Sequence, residues 1–266
     1  MKYTIYVPIS REQFFIPILK SLEMMDFPAQ DTELLIVLDT ADKRFAGAAL
    51  KVLEMFSTIK PVKVIKVKVT GEAPLPDDAP IIMRRQRVMS VWNHMKTMIG
   101  KTEIFFSFED DTKTPDDAFK KLTKRVEKGA VFAEGVEMHR QTDSIGAWKL
   151  TKLMAKTLKY KDRGISRIDG GGWYCFATRS EYVKKTMIRE SGAAMGPDVC
   201  FVYDLSKMRK GRAIIDWSVK CGHATSEGML YASKNTGQLC YKGKKNNRGE
   251  IEWSLNIHTT KKQKQE

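Results

Sequence analysis

Phe105-Phe106-Ser107-Phe108-Glu109-Asp110-Asp111-Thr112 sets a mostly apolar run directly against three consecutive acids. With Ile104 in front, the apolar run predicts a buried strand over 104–108. That strand ends by presenting three carboxylates at a sheet edge. Like charges side by side repel, and the fold alone gains nothing from crowding them. A divalent cation removes the conflict. Hard oxygen ligands suit Mg²⁺ or Mn²⁺, which commonly share their coordination with substrate phosphates. In open α/β sheets ligands gather beyond the carboxyl ends of the strands, and this is such an end.

Upstream, 2–7 reads as a strand stopped at Pro8, and 34–38 as a buried strand closing on Asp39. Between them Phe14, Phe15, Ile18, Leu19, Leu22 and Met25 recur at helical spacing. A helix over 46–56 is expected to turn Leu50, Leu53 and Phe56 inward, and 61–69 gives a third strand. Strands alternating with helices predict an α/β fold with a mainly parallel sheet. The stretch 71–80 is a loop carrying Pro74 and Asp77-Asp78. A helix over 84–99 opens with Arg84, Arg85 and Arg87. Basic residues there oppose the helix dipole, and Arg84 and Arg87 share a face. A nearby anionic ligand and a solvated basic face explain this equally well.

Downstream, 116–128 predicts a helix and 130–138 a strand. Leu150, Leu153, Met154 and Leu158 predict a helix over 149–159, with Lys149, Lys152, Lys156 and Lys159 on its other side. That lysine face is either solvated or laid along a phosphate backbone. Gly170-Gly171-Gly172 allows close backbone approach before the strand 174–177. A loop over 192–197 leads to Asp198 and a helix carrying Val199, Phe201, Val202 and Leu205. Ala213 opens a last strand over 213–219, followed by Gly222-His223. The reading is one domain over 1–240 and a basic tail over 241–266, partly without fixed structure.

Hydrophobic residues make up 42% of the 266, enough for one large α/β core. No run of 18 apolar residues suggests a membrane span, and the opening residues read as a strand rather than a signal peptide. Four cysteines lie far apart without a CxxC pair, against a zinc site. Three sit in apolar patterns and are expected reduced, in a cytoplasm. The formal charge of +14 points to a polyanion: nucleic acid, an anionic membrane surface, or a nucleotide. Solubility alone is the bland alternative.

In this order the parts resemble the metal-dependent nucleotide-sugar glycosyltransferases of the GT-A fold, especially family-2-like bacterial and phage members. The resemblance runs from Tyr3 to about Thr225. Its marks are the strand ending Val7-Pro8, Asp39, the arginine-bearing helix, Glu109-Asp110-Asp111 in place of Asp-x-Asp, the stretch 170–176, Asp198, and Gly222-His223. None is specific alone; their order carries the resemblance. The motif departs from the family in having Glu109 first, a longer side chain that reaches a metal through water or binds ribose instead. The usual acid pair is Pro197-Asp198 here, leaving Asp198.

The resemblance implies inverting transfer of a sugar from a nucleoside diphosphate, such as a UDP-sugar, to a hydroxyl. Glu109, Asp111 and His223 would hold Mn²⁺ or Mg²⁺. Pro8, Asp39, Arg84, Arg87 and Asp110 would bind the nucleotide-sugar. Asp198, kept ionised by a helix N-terminus, would be the base, with Asp204 the second candidate and an N-cap role the structural alternative. His223 reads equally as a structural histidine, and Asp39 as a turn former. Trp173 would stack on the acceptor or a base. Trp92, Trp148 and Trp217 read as core, and His94, His139 and His258 receive no role. Small phage enzymes of this kind glycosylate hydroxymethylated pyrimidines in DNA, which makes DNA the favoured acceptor. The rivals are a glycosyltransferase for surface polysaccharide or glycoprotein, a non-catalytic DNA-binding protein on the same scaffold, and a nucleotidyltransferase. Oligomeric state is not legible.

Overall fold

The strand expected at 104–108 is present and fully buried. Its alternation divides the core between two faces, with Phe106 and Phe108 on one and Phe105 on the other. The computed structural model describes residues 1–255 except 74, 77, 78, 140, 141, 152, 153, 192–194, 210, 227 and 248–250; for 251–255 it describes the backbone. Expectations for Pro74, Asp77, Asp78, Lys152, Leu153, His258 and 256–266 therefore lie outside the described residues.

The chain runs β1 (Tyr3–Ile9), α1 (Phe15–Met24), β2 (Thr32–Leu38), α2 (Lys43–Ile59), β3 (Val64–Val69), α3 (Ile81–Met98), β4 (Ile104–Phe108), β5 (Thr112–Lys113), α4 (Ala118–Glu127) and β6 (Ala130–Val136). It continues β7 (Ala147–Leu150), β8 (Met154–Thr157), β9 (Ile165–Ile168), β10 (Gly170–Gly171), β11 (Cys175–Arg179), α5 (Ser180–Lys185), α6 (Pro197–Met208), β12 (Arg212–Lys220), β13 (Gly222–Thr225), β14 (Gly228–Tyr231), β15 (Cys240–Lys245) and β16 (Ile251–Leu255). The main sheet has the order β3-β2-β1-β4-β11-β6-β12-β9. Strands β3, β2, β1 and β4 are parallel neighbours, as are β6 and β12, whereas β11 and β9 run antiparallel to theirs. The apolar faces of α1, α2 and α4 cover one side, and those of α3, α5 and α6 the other. Smaller sheets, β10-β7-β8-β15-β16 and β14-β13-β5, complete the fold.

Three expectations are corrected. The described residues of 149–159 form no helix: β7 and β8 pair antiparallel, Trp148 opposite Thr157 and Leu150 opposite Ala155. The period-two pattern of those residues was hidden by apolar side chains that also fell at helical spacing. Lys149 and Lys156 face each other across the strands, so no continuous lysine-faced helix exists. Leu50 is exposed, because the phase of α2 turns Ala46, Ala49, Leu53 and Phe56 to the core. The stretch from 241 is not all tail, since β15 pairs with β8 and β16 and carries the chain into the second sheet. Cys175, Cys200 and Cys221 are buried free thiols, as their apolar surroundings predicted.

Candidate functional site

Sheet order reverses between β1 and β4. The chain steps from β1 outward to β2 and β3, then returns through α3 to β4 on the other side. Loops leave such a switch point in opposite directions and open a crevice. The acid turn after β4 meets the loop after β1 here. Asp110 accepts hydrogen bonds from Ser10 N at 2.8 Å, Ser10 Oγ at 3.0 Å and Arg11 N at 3.0 Å, and it pairs with the Arg11 guanidinium. This buried carboxylate fastens the two loops together. Asp110, expected to bind the nucleotide-sugar, is thus bonded to protein groups while it also lines the smaller of two cavities. Arg11 also stands 2.9 Å from Asp111 Oδ2.

A cavity of about 170 Å³ opens beside this turn, lined by Pro8, Arg11, Asp39, Arg87, Trp92 and Glu109 among others. Asp39 accepts from Thr70 Oγ1 at 2.9 Å and Arg87 Nε at 3.0 Å. Two expected nucleotide-binding residues are thus bonded to each other, and Glu72 also pairs with Arg87.

His223 reaches the acids through β13, whose pairing with β5 sets His223 opposite Thr112. Its Nδ1 lies 2.9 Å from Glu137 Oε1 and 3.0 Å from the Met138 carbonyl, and its Nε2 lies 3.2 Å from Asp111 Oδ2. If Nδ1–H donates, Nε2 turns a lone pair toward Asp111 Oδ2, the oxygen that the Arg11 guanidinium also approaches at 2.9 Å. Carboxylate, imidazole and a supporting Glu137 are the donor chemistry of a divalent site with its outer shell. Among the described residues no group of three His, Cys, Asp or Glu is arranged to hold an ion. The expected trio is therefore reduced to Asp111 and His223 in contact, with Glu109 on the same cavity wall. Burial, with the charge of Glu137 adding, pushes the Glu109 carboxyl up to about 7. Glu137 was missed from sequence; an acid at the end of a predicted strand was the available signal.

A larger cavity of about 380 Å³ adjoins the smaller one, with Glu109 and Val88 in both walls. It brings Asp198, Arg84, Arg85, Trp148 and Trp173 to the side of His223. Asp198 is the second residue of α6, behind Gly196 as N-cap and Pro197. It is therefore not the cap itself. A Cβ on Gly196 would stand 2.7 Å from Asp198 Oδ1, so this close approach favours glycine. Burial pushes the Asp198 carboxyl up, opposed by the Val199 backbone N–H and the charge of Arg85. Desolvation thus outweighs the helix N-terminus that favours its charged form. Asp204 bonds to Arg189 at 2.7 and 2.8 Å and lines neither cavity.

Trp173 is buried, with its ring centroid 3.9 Å from that of Trp92. It also lines the larger cavity. Its Nε1 and the Nε of Arg84 are buried without hydrogen-bond partners among the described residues. Trp92 and Trp217 are core as expected, whereas Trp148, though buried, also forms cavity wall. Beneath the glycines lies Glu134, also missed from sequence. It has no solvent exposure, and the Gly172 N–H and the Tyr174 hydroxyl are its nearby donors. Burial, with the charge of Asp198 adding, pushes its carboxyl well up.

No protein-family model matches the sequence, and no curated protein is similar to it in sequence. Solved structures are similar in fold. S. aureus TarS 1-349 in complex with UDP-GlcNAc matches at TM-score 0.51 and 14% identity, over 89% of this chain and 60% of that one. The mannosyltransferase PcManGT from Pyrobaculum calidifontis in complex with GDP-Man and Mn²⁺ matches at TM-score 0.53 and 14% identity, over 80% of this chain and 53% of that one. A197 from STIV matches at TM-score 0.46 and 13% identity, over 90% of this chain and 93% of that one. This chain thus spans 60% and 53% of the first two. It has the GT-A-type fold of nucleotide-sugar glycosyltransferases.

Proposed function

We propose that this chain is a metal-dependent inverting glycosyltransferase that moves a sugar from a UDP-sugar to a hydroxyl. One observation carries the reading: Asp198 and the Asp111–His223 pair line or adjoin one cavity, which borders a second at the sheet's switch point. The fold shared with structures solved holding UDP-GlcNAc, or GDP-Man and Mn²⁺, supports it.

The smaller cavity, with Pro8 and the Asp39–Arg87 pair, would receive the nucleoside. Asp111 and His223 would hold a divalent cation, with donor phosphates completing the coordination. When bound, that cation supplies Lewis-acid neutralisation of the departing diphosphate. Asp198 would take the proton of the acceptor hydroxyl as its oxygen bonds to the anomeric carbon. The bond to the diphosphate breaks with its electron pair on the diphosphate. A single carboxylate base working opposite the leaving group gives inversion. Trp148 and Trp173 supply apolar wall that displaces water from the reacting atoms.

The favoured acceptor is a hydroxymethylated pyrimidine in DNA, supported by the net charge of +14. The test is UDP release over a panel of UDP-sugars with Mn²⁺, alone and with plain or hydroxymethylated DNA. Stimulation by hydroxymethylated DNA only is expected. Equal release with either DNA defeats that acceptor, and no release from any UDP-sugar defeats the enzyme reading.

A further inference from the structure

Two buried N–H donors on the wall of the larger cavity lack acceptors among the described residues: Arg84 Nε and Trp173 Nε1. Buried polar groups are nearly always satisfied, so each asks for a missing partner. Arg84 differs from its neighbours in a second way. Arg11 pairs with Asp110 and Asp111, Arg87 with Asp39 and Glu72, and Arg85 lies 3.7 Å from Glu190. Arg84 makes no ion pair with a carboxylate among the described residues. A half-buried guanidinium without a counter-charge is costly, and a neutral hydroxyl does not supply one.

Position separates Arg84 from the nucleoside end. It lines the larger cavity with Asp198, whereas Arg87 lines the smaller one. The guanidinium fork matches the oxygens of a phosphate, and the indole N–H adds a donor that remains neutral.

We infer that the larger cavity recognises its acceptor through a phosphate group, bound by Arg84 and the Trp173 N–H, with the acceptor hydroxyl at Asp198. This rests on the glycosyltransferase reading for the role of Asp198. A phosphate in this position belongs either to the acceptor or to the donor's own diphosphate, and the test separates the two.

The experiment titrates glycerol 3-phosphate calorimetrically into the full chain with Mn²⁺ and saturating UDP, with glycerol and glycerate as controls. Glycerol 3-phosphate is expected to bind and the controls are not. Arg84→Gln is expected to weaken binding about tenfold or more, the size of one charge-assisted hydrogen bond. Trp173→Phe keeps an aromatic ring, removes the N–H, and is expected to weaken binding severalfold. UDP affinity, unchanged in both variants, shows that they are folded. Abolition of binding by UDP assigns Arg84 to the donor diphosphate and overturns the inference. Equal binding of glycerate, or unaltered binding by both variants, overturns it too. No UDP binding by the wild-type chain overturns the underlying reading and this inference with it.

Discussion

His223 Nε2 lies 3.2 Å from Asp111 Oδ2, although 112 positions separate the two in the chain. The short pairing of β13 with β5 brings them together, and Glu137 steadies the far side of the ring. A chelator is expected to abolish transfer and Mn²⁺ to restore it. Glu137→Gln is expected to raise the Mn²⁺ requirement about 10–100-fold, as loss of an outer-shell partner does. His223→Ala should raise it further. Mn²⁺ titration of UDP release checks both, and an unchanged half-saturation point in His223→Ala removes the ligand assignment.

Asp198→Asn is expected to lower kcat about 10²–10⁴-fold, the usual contribution of a general base. UDP affinity should hold, since Asp198 lines only the larger cavity. Asp204→Asn breaks the pair with Arg189 and is expected to cost little rate. Steady-state kinetics of the two variants compare the candidates directly, and the reverse ranking would reassign the base.

The rate should also carry the signature of a buried base. Burial raises the Asp198 pKa, and only the deprotonated carboxylate accepts a proton. Activity is therefore lost as pH falls, with the midpoint above that of a free aspartate. The Arg85 charge opposes the shift, so Arg85→Gln is expected to move the midpoint to still higher pH. A pH–rate profile of kcat with both proteins measures this. A midpoint that stays fixed, or moves down, contradicts the assignment.

Glu134 bears on stability. Its folded pKa is raised above the unfolded value, so folding favours the protonated form. The protein is most stable with respect to this group below the unfolded pKa, and that stability is lost as pH rises toward the folded value. The loss is at most about 1.4 kcal/mol per pH unit. Glu134→Gln removes the titration, so its Tm relative to wild type should climb as pH rises above the ordinary glutamate pKa of about 4.3. Parallel Tm curves above that pH would show that Glu134 does not bury a titrating proton.

With hydroxymethylated DNA as acceptor, transfer should fall more than about tenfold between roughly 50 and 200 mM salt, through counterion release. Salt-insensitive transfer to a small sugar would instead favour a glycan acceptor.

The parallel half of the sheet was legible because its strands are short apolar runs bounded by Pro8, Asp39 and the acids of 109–111. The hairpin of β7 and β8 was not, since Leu150, Met154 and Leu158 also satisfy a helical period. Asp198 and His223 stood out as polar residues at element ends, and the structure places both on the larger cavity. Glu134 and Glu137 were missed because nothing local distinguishes a buried acid in a strand from an exposed one. The partnering of Asp110 with Ser10 and Arg11, and of Asp39 with Arg87, was equally hidden. Both are long-range contacts between types that sequence reading assigns to ligands.

The smaller cavity is lined wholly by residues between Pro8 and Asp110, while the larger draws on residues as late as Tyr241. If the smaller cavity takes the donor nucleoside and the larger one the acceptor, donor choice and recipient choice are written largely in different stretches of the chain. Recombination that exchanges the later stretch but keeps His223 can redirect where the sugar goes while leaving the nucleotide's pocket intact, so a chimera joined after the acid turn that retains His223 should keep its donor and change its recipient.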